Sequence, residues 1–511
     1  MGNGATFRNE LLDDMVAVGR AEARAVRLWM RSSRPGRLAV SWWEERAGAR
    51  VHVANVEVVA GVRDQTACVT LPPDAVYGLE PLTRYRYRVT HTGSGHVLGE
   101  GSFETAPGDA TDTPARFAFA VMSCHQPFDP SGRIRVDARQ MLRAAYRCLQ
   151  DHHVRYVLML GDQIYADYPE RASLFDAGHF ATVAPPGRRS ILECTTDEVR
   201  ALYHQRYRRF WNVPELKAIQ ADFPCYMILD DHDVLDNWGT NPAHGHPPWK
   251  TVGEGALDAC FDYQTSRVLA SCDRRPEAFD YAFTYGHTST FVMDLRSERR
   301  GGADGRLVSA RQLERLEAFL HASSSCEVVF LALSVPMVHV PRRLARAGSR
   351  LPSWGEDFSD RWSSEAHVRD RDRVLSMLYA HQCRYPLQRL VLLSGDIHIG
   401  CAHRIRWQGS GLSLYQLVAS PLTHATPRWV QLASKQLIRF KHRLATRDGQ
   451  IRGQTELLPG VAGYTRNLYG GLNVGIVEVE TPPSGAAPTL QFSLYGHRDD
   501  APVCVYRSPS V

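Results

Sequence analysis

Several apolar runs in this chain stop on a chemically reactive residue, and that pattern constrains the fold more than any other feature. Arg155 to Leu160 is continuous hydrophobic sequence, broken by Gly161 and followed by Asp162 and Tyr165. Such a run, bounded by a breaker, predicts a strand buried on both faces. Cys225 to Leu229 leads in the same way into Asp230, Asp231, His232 and Asp233, Thr290 to Met293 into Asp294 and Arg296, and Leu390 to Gly395 into Asp396 and His398. An earlier run, Arg116 to Met122, ends at Ser123, Cys124 and His125. Open α/β sheets bind ligands where their strands end, so five strands bring Asp, His, Cys and Tyr to that edge.

Helical patterns separate these strands, which predicts an α/β architecture. Asp137 to Leu149 places Met141, Leu142, Ala145 and Leu149 on one face, and Ser309 caps a second helix with Leu313, Leu316, Phe319 and Leu320 as its apolar stripe. Cys326 to Pro336 reads as a further buried strand ending near His339, a rim histidine or a metal-site neighbour. Pro169 to Pro214 reads as a helical insertion, Arg342 to Trp362 as a loop over the site, and Pro427 to Arg447 as one basic amphipathic helix. That helix fits a membrane surface, but packing on the core with a solvated basic face is the favoured reading.

Before Thr105 the pattern changes to short alternating strands separated by turns such as Ser32 to Gly36 and His91 to Gly95, the signature of a β-sandwich. Leu79 to Val89 resembles a stretch of fibronectin type III domains. The segment 106–114 is a linker by composition. At 511 residues the chain is too long for one ordinary core. The expected division is a sandwich domain at 1–108 and a larger domain at 115–511.

A formal charge of +5 is small for this length and gives no general affinity for nucleic acid. The 11 cysteines are odd in number and lack paired spacing, which favours a reducing compartment over a disulfide framework. Met1 to Asp14 contains no apolar signal core, so a cytoplasmic protein is expected. Met1, Gly2 and Thr6 match a myristoylation pattern, read as coincidence because one acyl chain anchors only marginally. No apolar run approaches membrane-spanning length.

Negative charge concentrated at one edge of a sheet is costly unless cations neutralise it. Asp162, Asp231, Asp396 and His398 supply the oxygen and nitrogen donors that hard or borderline cations prefer. Two such cations could share a carboxylate.

Taken together, Gly161 to Tyr165, Asp230 to Asp233 with Asn237 and Trp238, Ser394 to His398, Ser123-Cys124 and Ala419 to Pro421 resemble the signature set of PhoD-like alkaline phosphatases, within the metallophosphoesterases. The resemblance runs from about Arg116 to the C-terminus. It implies a four-layer α/β/β/α sandwich, preceded here by the all-β domain, and a centre of iron with calcium or another divalent ion. By position it implies Cys124, Tyr165 and His398 at the iron-like site, Asp162 bridging, Asp396 at the second site, and Asp231 as a metal ligand where the wider superfamily has the asparagine of its Gly-Asn-His-Glu motif. The resemblance also implies Asn237 or its neighbour Asp236 as a further ligand. Asp233 and Asp236 depart from the residues usual in the family, which leaves the second metal open. The family is typically exported behind a twin-arginine signal, and none is visible here.

His232 is placed to stabilise the transition state or to protonate the leaving oxygen. Arg296 is a candidate phosphate clamp, with an exposed arginine capping a strand as the equal alternative. Cys124 as a nucleophile paired with His125 ranks below its role as a ligand. The expected activity is metal-dependent hydrolysis of small-molecule or lipid phosphate esters, monoesters first and diesters second. The alternatives are a phospholipase- or nuclease-like diesterase, or a silent relative acting through its sandwich.

Overall fold

The computed structural model describes residues 13–73, 78–109, 112–269, 274–302, 304–351, 355–439, 442–481 and 487–511. Two sheets form its centre. The first has six strands, in the order Cys225–Ile228, Val154–Leu160, Arg116–Met122, Val474–Glu480, Thr489–Arg498 and Ala501–Arg507. The first three are parallel, and the C-terminal strands add to them antiparallel. The second has eight, with Thr288–Val292, Val328–Ala332, Arg389–Ser394 and Ser413–Val418 as its parallel heart. Strands buried on both faces cannot alternate polar and apolar residues, which is why these runs read as unbroken hydrophobic sequence.

The sheets pack face to face: Phe119 of the first meets Phe330 of the second edge-on at 5.0 Å and stacks on Tyr156 at 4.8 Å. Helix Val136–Asp151 buries Met141, Leu142, Ala145 and Leu149 in the core of the first sheet. Helices Ala310–Ala322 and Val368–Arg384 cover the outer face of the second, where Leu316, Phe319, Leu375 and Leu378 share a core with Phe291, Leu331 and Leu392. The result is the expected α/β/β/α layering. Because the central strands of both sheets are parallel, their C-terminal ends open on one rim. Ser123-Cys124, Gly161-Asp162, Asp230-Asp231, Gly395-Asp396 and Ala419-Ser420 follow directly on five of these ends.

Residues Met15–Glu104 build sheets of three and four strands around their own core. Tyr85 Oη accepts from the Glu80 N–H at 2.9 Å, the local tie of a tyrosine corner. This sandwich is fused to the α/β body. Trp29 belongs to the larger core, donates from Nε1 to the Asp262 carbonyl at 2.8 Å, and lies under the Arg267 guanidinium at 4.6 Å. Asp64 accepts from Arg31 at 2.9 Å and from Tyr263 at 2.5 Å, and also meets Arg208. Ala106, inside the compositional linker, is buried.

The structure differs from the sequence expectations in two segments. Within 342–362 the chain folds into short helices, Arg342–Gly348 and Gly355–Ser359. The basic amphipathic helix spans only Arg428–Arg439. His442–Ala445 instead pairs antiparallel with Arg452–Leu457, which buries Leu444 in the second core. A one-dimensional helical period cannot weigh that distant hydrogen-bonding edge against a few more turns of helix. Phe440 and Lys441, and the myristoylation-like residues Met1 to Thr6, lie outside the described residues. None of the described helices is long and apolar enough to cross a membrane.

Trp29→Ala should remove the aromatic plug between sandwich and body at a cost of about 3–5 kcal/mol. A lowered urea midpoint is the expected reading, and an unchanged midpoint would mean the interface contributes little.

Candidate metal centre

Glycines set the geometry of the rim. Gly161 has φ +93°, and a Cβ there would stand 2.5 Å from Asp230 Cβ. A Cβ on Gly395 would lie 2.4 Å from Ser123 Cβ and 2.7 Å from the Leu160 carbonyl oxygen. Only glycine lets these strand ends approach so closely. In the loops that follow the strands, Cys124, Asp162, Asn237, Asp396 and His398 have φ values of 59°, 55°, 56°, 65° and 52°. Non-glycine residues avoid this left-handed region, which costs on the order of 1–3 kcal/mol each. Clustered strain of this kind needs surrounding support.

Two residues provide much of that support. Asp233 accepts from the N–H groups of Asp230 at 2.8 Å, Gln163 at 3.2 Å and Ile164 at 3.3 Å, and from Gln264 Nε2 at 2.9 Å. It therefore holds the Asp162 and Asp230 turns together, and burial pushes its carboxyl up to about 7. Ser420 donates to Cys124 Sγ at 3.2 Å and accepts from the His398 N–H at 3.2 Å, which explains the Ala419 to Pro421 signature.

Three groups of donors converge, each with its atoms within 4.8 Å of one another: Cys124, Asp162 and His398; Asp162, Asp231 and His232; and Asp230, Asp231 and Asp396. Asp162 and Asp231 each belong to two groups, so the three form a chain. Tyr165 Oη donates to Asp162 Oδ2 at 2.8 Å and lies 3.4 Å from His398 Nε2. Asn237 donates through its backbone to Asp231 at 2.8 Å and through Nδ2 to Asp357 at 2.9 Å. The structure thus gathers Cys124, Asp162, Tyr165, Asp231, His232, Asn237, Asp396 and His398. Asp236 is 57% exposed, with its carboxylate 3.8 Å from His232 Nε2, and belongs to none of the three groups.

The electrostatics match this crowding. Burial raises the Asp162 carboxyl well above its ordinary value; His232 opposes that shift, while Asp231 and Asp230 add to it. Burial likewise raises Asp230 to about 7 and Asp396 to about 6, against Arg296 and Arg361 respectively. Burial alone would depress His232. Asp167, 2.8 Å from Nδ1, with Asp231 and Asp162, instead holds the imidazolium well above its usual range. Asp162 Oδ1, Asp230 Oδ2 and Asp231 Oδ1 are buried without a hydrogen-bond partner.

Arg296 is corrected by the structure. It is fully buried, bound to Asp230 at 2.5 Å, to Asp360 at 2.7 and 3.0 Å, and to the Trp238 carbonyl at 3.2 Å. It is a structural counter-charge, neither a clamp facing substrate nor an exposed cap. Asp294 likewise turns inward, accepting from the N–H groups of Phe279, Arg296 and Ser297. His125 is no partner for Cys124, since its ring nitrogens meet the Phe210 carbonyl at 2.9 Å and Thr423 Oγ1 at 3.1 Å. His339 sits half-buried past the end of strand Val328–Ala332.

Sequence reasoning missed Asp230 as a ligand candidate, and also Asp167, Arg361 and His424. His424 stacks on His398 at 4.1 Å and on Tyr165 at 5.3 Å. Asp230 carried a signal, since it adjoins Asp231 in the motif; the others lie in loops without periodicity.

A two-sheet α/β body with a chain of buried carboxylates at its strand ends defines a protein of the metallophosphoesterase class. A family profile for PhoD-like phosphatases matches residues 119–459, and the chain belongs to that family. Alkaline phosphatase D of Bacillus subtilis (strain 168) is 24% identical over 339 residues, covering 64% of this chain and 53% of that protein. The chain thus matches about half the length of this curated relative. A solved structure of PhoD superposes with a TM-score of 0.64 at 18% identity, covering 99% of this chain and 93% of the other, which supports the shared fold.

Asp233→Asn would face several N–H donors with an amide that can accept on one oxygen only. It should cost about 1–3 kcal/mol and lower the metal content of purified protein, checked by denaturation and elemental analysis. Wild-type values for both would mean that Asp233 does not hold the turns.

Proposed function

We propose that the chain hydrolyses phosphate esters using metal ions held at the strand-end rim. The observation that carries this reading is the set of three orphaned carboxylate oxygens, Asp162 Oδ1, Asp230 Oδ2 and Asp231 Oδ1, within linked donor groups. A buried anionic oxygen without a partner costs several kcal/mol, and a bound cation removes that cost.

The donor chemistry changes along the chain of groups. Cys124, Tyr165 and His398 with Asp162 offer sulfur, phenolate and nitrogen, a set suited to iron. Asp230, Asp231 and Asp396, with Asn237 beside them, offer oxygen and suit calcium or another hard divalent ion. Asp162, common to two groups, is the proposed bridge. Cations held there would supply Lewis-acid polarisation of the phosphoryl group and a more acidic water. The remaining roles fall to protein side chains. His232 is oriented by Asp167 through Nδ1 and stacked on Tyr165 at 4.3 Å, which suits it to deliver a proton to the leaving oxygen. Its closeness to Asp162 and Asp231 also suits it to ligation.

The substrate class proposed is a small-molecule or lipid phosphate ester. The name of the Bacillus relative, alkaline phosphatase D, favours monoesters. Turnover of nitrophenyl phosphate should exceed that of its bis-ester and should vanish with chelator; chelator-insensitive or absent turnover in metal-replete protein would overturn the proposal. Asp162→Ala should lose both metals, with activity falling by more than about a hundredfold. Near-normal metal content in that variant would contradict the bridging role.

A further inference from the structure

With Arg296 bound to Asp230 and Asp360, any side-chain cation that meets the phosphoryl group has to come from elsewhere on the rim. Arg299 does not qualify: its side chain is fully buried and its charge lies 2.9 Å from Asp360. Arg206 is buried and donates to the carbonyls of Tyr165 and Tyr168. Arg361 differs from all three. Its side chain remains 18% exposed and engages Asp396 through Nη1.

Arg361 is also held firmly in place. On one side Asp360 is bound to Arg296 and Arg299. On the other, Trp362 is 1% exposed and donates from Nε1 to the Val335 carbonyl at 3.1 Å. The Arg361 carbonyl accepts from the Ser364 N–H at 3.0 Å, which closes a turn. These contacts fix the backbone at Arg361, and Asp396 orients its guanidinium, so less freedom is left to lose on binding an anion. Its partner Asp396 belongs to the donor group of Asp230 and Asp231. The guanidinium therefore sits beside the place where phosphoryl oxygens would meet the cations. Its fork of N–H donors matches two such oxygens.

We propose that Arg361 binds the phosphoryl oxygens of the substrate and biases the site toward the doubly charged monoester. This rests on the phosphate-ester reading of the same rim. A dianion is attracted more strongly than a diester monoanion by the same fixed charge, so losing Arg361 penalises the monoester more.

The test compares the metal-replete full chain with Arg361→Ala and Arg361→Lys. Metal content is read by elemental analysis, inorganic phosphate serves as competitive inhibitor, and kinetic constants are measured on nitrophenyl phosphate and its bis-ester. Arg361→Ala should keep wild-type metal content, weaken phosphate inhibition on the order of tenfold or more, and raise KM for the monoester more than for the bis-ester. Arg361→Lys, with the charge but without the fork, should recover part of the loss and serves if the alanine variant folds poorly. Phosphate inhibition unchanged in both variants would overturn the assignment. Loss of metal from both would also overturn it, by making Arg361 a support for Asp396. Equal losses on the two esters would overturn the charge preference. A wild-type protein with neither turnover nor phosphate inhibition would instead sink the phosphoesterase reading itself.

Discussion

Carboxylates brought together out of water repel one another, and the architecture of this protein is arranged around that repulsion. Asp162, Asp230, Asp231, Asp360 and Asp396 are all buried or nearly so, within one strand-end rim. Arg296 and Arg299 neutralise Asp360 and part of Asp230, and Arg361 meets Asp396. Excess negative charge is left on Asp162 and Asp231, the two residues shared between donor groups. His232 adds one positive charge beside that pair and Arg296 reaches Asp231 at 3.7 Å, so the protein's own cations compensate the centre only in part. A site arranged this way favours multivalent ions, since a single positive charge cannot satisfy two linked groups.

Holding such a centre open requires backbone that would not choose its own conformation. Five of the gathered residues sit in the left-handed region, and two neighbouring glycines admit approaches that any side chain would block. The strain is offset by rigid surroundings. Both sheets are close-packed through Phe119, Tyr156 and Phe330, Asp233 ties two turns through their N–H groups, and Ser420 braces Cys124 and His398. Fold stability and site geometry therefore depend on the same contacts.

The N-terminal sandwich extends this rigidity. Trp29 engages Asp262, Asp64 engages Tyr263 and Arg208, and Arg267 reaches across to Trp29 and Trp211. Tyr207 and Tyr263 stack at 4.6 Å in the same cluster, and Tyr207 accepts at 2.8 Å from Gln264, which also donates to Asp233. A continuous path of packed and hydrogen-bonded side chains thus runs from the sandwich to the residue that braces the metal centre.

What the sequence by itself determined was the strand ends. Runs buried on both faces, each stopped by a polar residue or glycine, carry their signature in consecutive positions, so Asp162, Asp231, Asp396, His398, Cys124 and Tyr165 were visible together with the α/β class, while the four-layer arrangement came from the family resemblance. Local order cannot report which partner a side chain meets across the molecule. The Arg296 motif allowed a phosphate clamp or an exposed strand cap, yet the tertiary structure turned it inward to Asp230 and Asp360 and left the rim to Arg361, from a segment without periodicity. The same limit applied to Asp233, whose donors come from three separate segments, and to His442–Ala445, which a distant strand drew out of a helical pattern. Periodicity is a property of neighbours in the chain, whereas charge pairing and sheet edges are properties of neighbours in space.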